Sequence, residues 1–318
     1  MNRRRFVIRT SAALTGGWFG ATSFPWGECQ AQSEEITKPR SASAAATSAV
    51  IVPRYRIGVC DWMMLKRQKL GAFPLAREIG ADGVEVDMGE LGNRDTFDNR
   101  LKDPEVRRQF LDQASQLQLS ICSLAMSGFY AQSFAERATT LQMVQDCIDT
   151  MKRIGVKTAF LPLGVRGDLV KHPELRGPIV ERLRNIGSKA REAGVIIGLE
   201  TSLDAAGEVE LLRQIESPAI RIYFNFANAL QAGRDLLAEL RTLGPERICQ
   251  LHCTDEDGVW LQDNARLDLR KVKAVLDEMK WSGWLVVERS RDAKDPRNVK
   301  RNFGANVKFL KSIFQGME

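Results

Sequence analysis

From residue 56 to residue 288, short apolar runs rich in β-branched side chains alternate with longer stretches of helical period. This alternation limits the possible fold more than any other feature. Runs over 56–60, 83–87, 119–125, 158–163, 195–200, 220–225, 248–253 and 284–288 read as strands. Helices are predicted over 73–79, 106–118, 135–154, 179–193, 209–215, 236–243, 269–279 and 307–314. Within 135–154, Leu141, Val144, Ile148 and Met151 recur every three or four residues and mark one apolar face. Gly80, Gly155, Gly194, Gly244 and Gly283 each stand between a helix and the next strand, where a left-handed residue closes a helix. Eight such pairs over about 260 residues match the roughly 250 typical of a (β/α)₈ barrel. The predicted fold is therefore α/β, a single-domain TIM barrel over 55–318. A doubly wound open sheet is the alternative, but Cys60-Asp61-Trp62 follows the first strand where that fold carries a Gly-rich phosphate turn.

A barrel of this kind builds its site at the C-terminal strand ends. Four apolar runs end there in a polar group: Glu200, Asn225, His252 and Glu288. Two carboxylates, an amide and an imidazole on one rim form the ligand set of a divalent metal. Imidazole with carboxylate suits Mn²⁺, Co²⁺, Zn²⁺ or Fe²⁺, with Mg²⁺ more at home among oxygens. A single carboxylate at a strand end can instead cap a helix or pair with an arginine, and the second one on the rim favours a site. His252 is one of two histidines; the other, His172, lies in a polar stretch beside Pro173. Position alone makes Trp62, Glu85, Asp87 and Trp260 candidate pocket and substrate contacts. Their structural alternatives are a mouth covered by Trp62 and Trp260 and a polar layer inside the barrel containing Glu85. Asp255 and Asp257 read as turn caps after the seventh strand.

The succession Gly-Leu-Glu-Thr, Tyr-Phe-Asn-Phe-Ala-Asn, Gln-Leu-His-Cys-Thr-Asp and Gly-Trp-Leu-Val-Val-Glu-Arg-Ser resembles the sugar phosphate isomerase/epimerase group of xylose-isomerase-like TIM barrels, over about 55–315. The resemblance implies that Glu200, Asn225, His252 and Glu288 are metal ligands and that the two glutamates flank the reacting carbon as acid and base. The family usually carries aspartate where Asn225 stands, so the site loses one negative charge. Asn228 fits the family's place for a substrate hydroxyl partner. The family's arginine six residues after the histidine is Gly258 here, and Arg266 is the candidate substitute. The fourth-strand end, Leu161-Pro162-Leu163-Gly164, lacks the polar residue of relatives. The implied activity is a metal-dependent sugar isomerase or epimerase that abstracts a proton next to a carbonyl and passes through an enediolate. A lyase or hydratase acting on keto-glycosides and a non-catalytic sugar-binding barrel are the alternatives. The related DNA-repair endonucleases need a histidine-rich metal cluster that two histidines cannot build.

The expected leader explains much of the charge. Residues 1–31 hold four arginines against one glutamate, half of the formal net charge of +6, and the remaining charges alternate along helices as on solvated faces. This balance gives no nucleic-acid footprint. Paired arginines before Phe6 and Val7, followed by a weakly apolar core, resemble a twin-arginine export signal, with the export machinery as partner and a periplasmic or extracellular location. Residues 32–54, rich in Ser and Ala, read as a linker. No apolar stretch is long enough to span a bilayer. The six cysteines read as reduced, packed thiols. A homo-oligomer is left open.

Overall fold

The computed structural model describes residues 53–317; the expected leader and residues 32–52 of the expected linker lie outside the described residues. Eight strands form the sheet: β1 (Tyr55–Cys60), β2 (Gly83–Asp87), β3 (Ser120–Ala125), β4 (Thr158–Pro162), β5 (Ile196–Glu200), β6 (Ile220–Asn225), β7 (Ile248–His252) and β8 (Gly283–Val287). Each pairs in parallel with its neighbour in chain order, and β8 pairs with β1, so the barrel closes. The outer layer consists of α1 (Ala72–Glu78), α2 (Pro104–Gln116), α3 (Thr140–Ile154), α4 (Arg176–Ala193), α5 (Ala205–Ile215), α6 (Phe226–Gln231), α7 (Leu236–Leu243), α8 (Leu269–Glu278) and α9 (Val299–Phe314). The strand runs are apolar because both faces are covered, one by the barrel interior and the other by these helices.

Each predicted strand and helix has its counterpart, and three differences have local causes. The six-residue α6 is too short to show a helical period in sequence and starts where the Asn225 side chain accepts from the Ala227 amide. The last helix begins earlier than its apolar face, at an Asn298 cap that accepts from the Arg301 amide. Gly283 does not close α8. It opens β8 where a Cβ would meet the Trp281 ring at 2.8 Å, and the left-handed residue after α8 is Lys280, with φ of 56°.

The seam between first and last strands is fastened by α9. Lys311 Nζ lies 2.6 Å from Asp82 Oδ1, and Gln315 Nε2 donates to Tyr55 O at 2.9 Å and to Asp82 Oδ2 at 2.7 Å. Arg54 donates to the carbonyls of Trp281 and Leu276, both at 2.9 Å. Cys60, Cys122, Cys147 and Cys253 are buried, Cys249 is half-buried, and all five are free thiols. Among the described residues no helix is long and apolar enough to cross a membrane.

Candidate active site

Strands β5, β6 and β7 end on Glu200, Asn225 and His252, and Glu288 follows β8 directly. Parallel pairing sets Asn225 beside His252 in register. The four side chains meet. Asn225 Nδ2 donates to Glu200 Oε2 at 2.8 Å and to Glu288 Oε2 at 3.2 Å. His252 Nδ1 lies 3.3 Å from Glu200 Oε2 and 3.8 Å from Glu288 Oε2. Its Nε2 is 3.0 Å from Glu85 Oε1.

A second polar layer lies around Glu85. Ser123 Oγ donates to Glu85 Oε2 at 2.6 Å and Tyr223 OH donates to the same oxygen at 2.7 Å; Gln250 Nε2 donates to both hydroxyls at 2.9 Å. Glu85 is fully buried, so it orients the imidazole and does not line the cavity above the rim. Burial alone would lower the His252 pKa, but Glu288, Glu200 and Glu85 outweigh it and push it up to about 10. Both ring nitrogens then carry protons and donate, one to each layer. Burial raises the Glu288 carboxyl above its usual range, with His252 opposing the shift and Glu200 adding to it.

Above this cluster is a cavity of about 490 Å³ whose lining includes Trp62, Arg67, Tyr130, Phe160, Glu288 and Arg289. Trp62 and Phe160 stack with ring centroids 6.2 Å apart and close over the His252 edge, at 6.3 and 4.7 Å from it. Glu288 is thus the rim carboxylate that opens onto the cavity. Arg289, beside it, has a side chain about 30% exposed and an Nε that is buried without a hydrogen-bond partner.

The remaining candidates are placed elsewhere. Trp260 donates to Asn302 Oδ1 at 2.8 Å and lies under the Arg301 guanidinium at 4.9 Å, docked on α9. Arg266 is bound to Asp255, with Nη2 to Oδ1 at 2.7 Å; neither lines the cavity. Asn228 donates to the Thr201 carbonyl at 3.0 Å. Asp87 accepts from the Gly89 amide and lies 3.3 Å from Arg67 Nε, holding the turn after β2. Asp255 caps its turn by accepting from the Glu256 amide, and Asp257 pairs with Arg291. Arg67, Tyr130, Phe160 and Arg289 are among the cavity residues that sequence reasoning missed. Arg289 stood in the Glu-Arg-Ser motif, and Phe160 lies on β4 just before the strand end that lacks a polar residue.

A metal at this rim needs lone pairs aimed at one point. Glu200 and Glu288 each come within 3.8 Å of His252 Nδ1, but Asn225 does not fit as the fourth ligand. Its single oxygen accepts from the Ala227 amide at 3.0 Å, and its N–H groups occupy the gap between the two carboxylates. Turning the amide over would set its N–H groups against the Ala227 N–H and remove a cap worth about 1 kcal/mol. An aspartate has two oxygens and can do both jobs. Among the described residues no atom of this cluster is left buried without a hydrogen-bond partner, and no group of three His, Cys, Asp or Glu is spaced to hold a metal.

A closed parallel barrel with acid, amide and imidazole groups gathered on its C-terminal rim defines a TIM-barrel protein with a strand-end site. The chain belongs to the xylose isomerase-like TIM barrel family, whose model it matches over residues 73–313. It is 25% identical over 203 residues to the 2-epi-5-epi-valiolone 7-phosphate 2-epimerase of an Actinoplanes species, covering 63% of this chain and 72% of that protein. Its fold is similar to that of D-psicose 3-epimerase from Clostridium cellulolyticum H10, solved with D-tagatose, at TM-score 0.67 and 12% identity over 81% of this chain and 99% of that one. The 3-keto-D-glucoside 4-epimerase of E. coli superimposes with TM-score 0.62 and 15% identity, over 80% of this chain and 99% of the other.

Proposed function

We propose that this protein is a sugar isomerase or epimerase that removes a proton from the carbon next to a carbonyl. The observation that carries this reading is the pair Glu200 and Glu288, both bound by the Asn225 amide, with Glu288 open to an aromatic-walled cavity. Burial raises the Glu288 carboxyl toward the range where a general base works well near neutral pH. The Trp62 and Phe160 rings offer a flat apolar surface to the C–H face of a sugar. Glu200 is the second carboxyl: a proton returned to the opposite face gives epimerisation, and one returned to the neighbouring carbon gives an aldose–ketose shift. The sugar epimerases among its relatives support the substrate class.

The test is solvent deuterium incorporation into a panel of keto-sugars in D₂O. Glu288→Gln is expected to slow incorporation by about 10²–10⁴-fold. Incorporation at the wild-type rate would remove Glu288 from the mechanism. For residues 1–31 we propose twin-arginine export, which favours a free or glycosidic sugar over a phosphorylated one. Fractionation of cells expressing the full chain and its Arg4→Lys, Arg5→Lys variant checks it; an unchanged distribution refutes it.

A further inference from the structure

We infer that this rim works without a resident metal, the Asn225 amide holding the two glutamates together and the Arg289 guanidinium supplying the positive charge that faces the reacting carbonyl. The inference rests on the proton-abstraction reading above, and three observations carry it. First, both hydrogen-bonding ends of Asn225 are used, the oxygen by the start of α6 and the nitrogen by Glu200 and Glu288. The amide therefore occupies the gap where a fourth lone pair would have to point. Second, the other cationic candidates are engaged: His252 has no exposed surface, lies against the Trp62 and Phe160 ring edges and donates to Glu85 and Glu200, and Arg67, on the same cavity wall, pairs with Asp87 at 3.3 Å. Third, Arg289 lines the same cavity as Glu288, with its side chain about 30% exposed and its Nε, itself buried, 3.9 Å from Glu288 Oε1. Its backbone is fixed, the amide donating to Thr254 Oγ1 at 3.0 Å and the carbonyl accepting from Asn306 at 3.3 Å.

A partly exposed guanidinium on the cavity wall beside a general base is placed to receive the oxygen on which charge develops. Glu288 takes the proton from the carbon beside the carbonyl, and the C–H electron pair becomes the new C=C bond. The carbonyl π pair moves onto oxygen, and the resulting enolate is held by the Arg289 N–H groups. Protonation of carbon from the other carboxyl group restores the C=O bond. Asn225 acts as a positioning residue in this scheme, and Arg289 as a catalytic one.

The metal arm needs no substrate, so it stands even if no sugar in the panel exchanges deuterium with wild type, the outcome that defeats the functional reading. Elemental analysis of the chain purified without chelator is expected to show far less than one transition-metal ion per chain, and Mn²⁺ titration by calorimetry is expected to show no saturable binding. Asn225→Asp, with folding verified by circular dichroism, is expected to bind one Mn²⁺. Stoichiometric metal in wild type overturns the inference, as does a folded Asn225→Asp that binds none. Should Asn225→Asp fail to fold, the wild-type measurements and the arginine arm still decide. In that arm, Arg289→Ala is expected to lower the exchange rate on the order of 10²–10³-fold, with partial recovery in millimolar guanidinium and none in Mn²⁺. A wild-type rate in Arg289→Ala, or rescue by Mn²⁺ alone, overturns it.

Discussion

The polar side chains inside the barrel lie in two layers that treat their hydrogen bonds differently. In the layer of Glu85, Ser123, Tyr223 and Gln250, exposure is 0–1% and each side chain is bound to others of the set. At the rim, Glu200, Asn225 and Glu288 keep 7–8% exposure and Glu288 faces a cavity. His252 bridges the two, with one ring nitrogen in each. The inner layer is closed by its own members, as a structural network has to be, because an unsatisfied group there has no water to turn to. The rim is satisfied toward the protein and open toward the cavity, which is what a site that exchanges protons requires.

Substitutions can break this division. The largest stability effect is expected for Glu85→Ala, which leaves the His252, Ser123 and Tyr223 donors without their acceptor. A loss of about 3–5 kcal/mol is expected in urea unfolding. Glu288→Gln is its counterpart, expected to stay within roughly 1 kcal/mol of wild type while losing deuterium exchange; similar stability losses in the two variants would erase the distinction between the layers. Tyr223→Phe is expected to cost about 1 kcal/mol, since Glu85 and Gln250 both retain Ser123 as a partner. A loss as large as that of Glu85→Ala would mean that the inner network depends on the phenol and not on the carboxylate.

The pH dependence belongs to a carboxyl outside both layers. Glu208 accepts from Thr201 Oγ1 at 2.8 Å, next to Glu200 in sequence, and burial pushes it up to about 8. Its folded pKa is above its unfolded value, so its contribution to stability is full below about pH 4.5 and falls as pH rises through about 8. Thermal unfolding between about pH 5 and pH 9 is expected to show this decline in wild type, and Glu208→Gln is expected to flatten it. An equal slope in both would assign the decline to the rim carboxyls instead.

The fold was legible because parallel strands covered on both faces leave unbroken apolar runs, and the rim was legible because a polar group ending such a run is conspicuous. Glu85 reads in sequence both as a pocket contact and as part of a polar layer inside the barrel, and the structure places it in the layer; alternation could not choose, since every residue of β2 is buried. Trp260 and Arg266 were read from loop position, whereas their places are set by partners on α9 and at Asp255. Arg289 follows Glu288 directly, and strict strand alternation would send the two side chains to opposite faces. Pairing in β8 stops at Val287, so the rule no longer applies and both reach one cavity.

The seam between β1 and β8 bears on the order in which the molecule can assemble. Tyr55 pairs with Gly283 and Val59 with Val287, and α9 ties the joint by gripping Asp82 and Tyr55. Contacts between such distant parts of the chain carry a large loop-closure entropy and come late in folding. Glu200 can therefore have its strand well before Glu288 has one, and during synthesis on the ribosome the carboxylate pair is completed only when the last strand closes the ring.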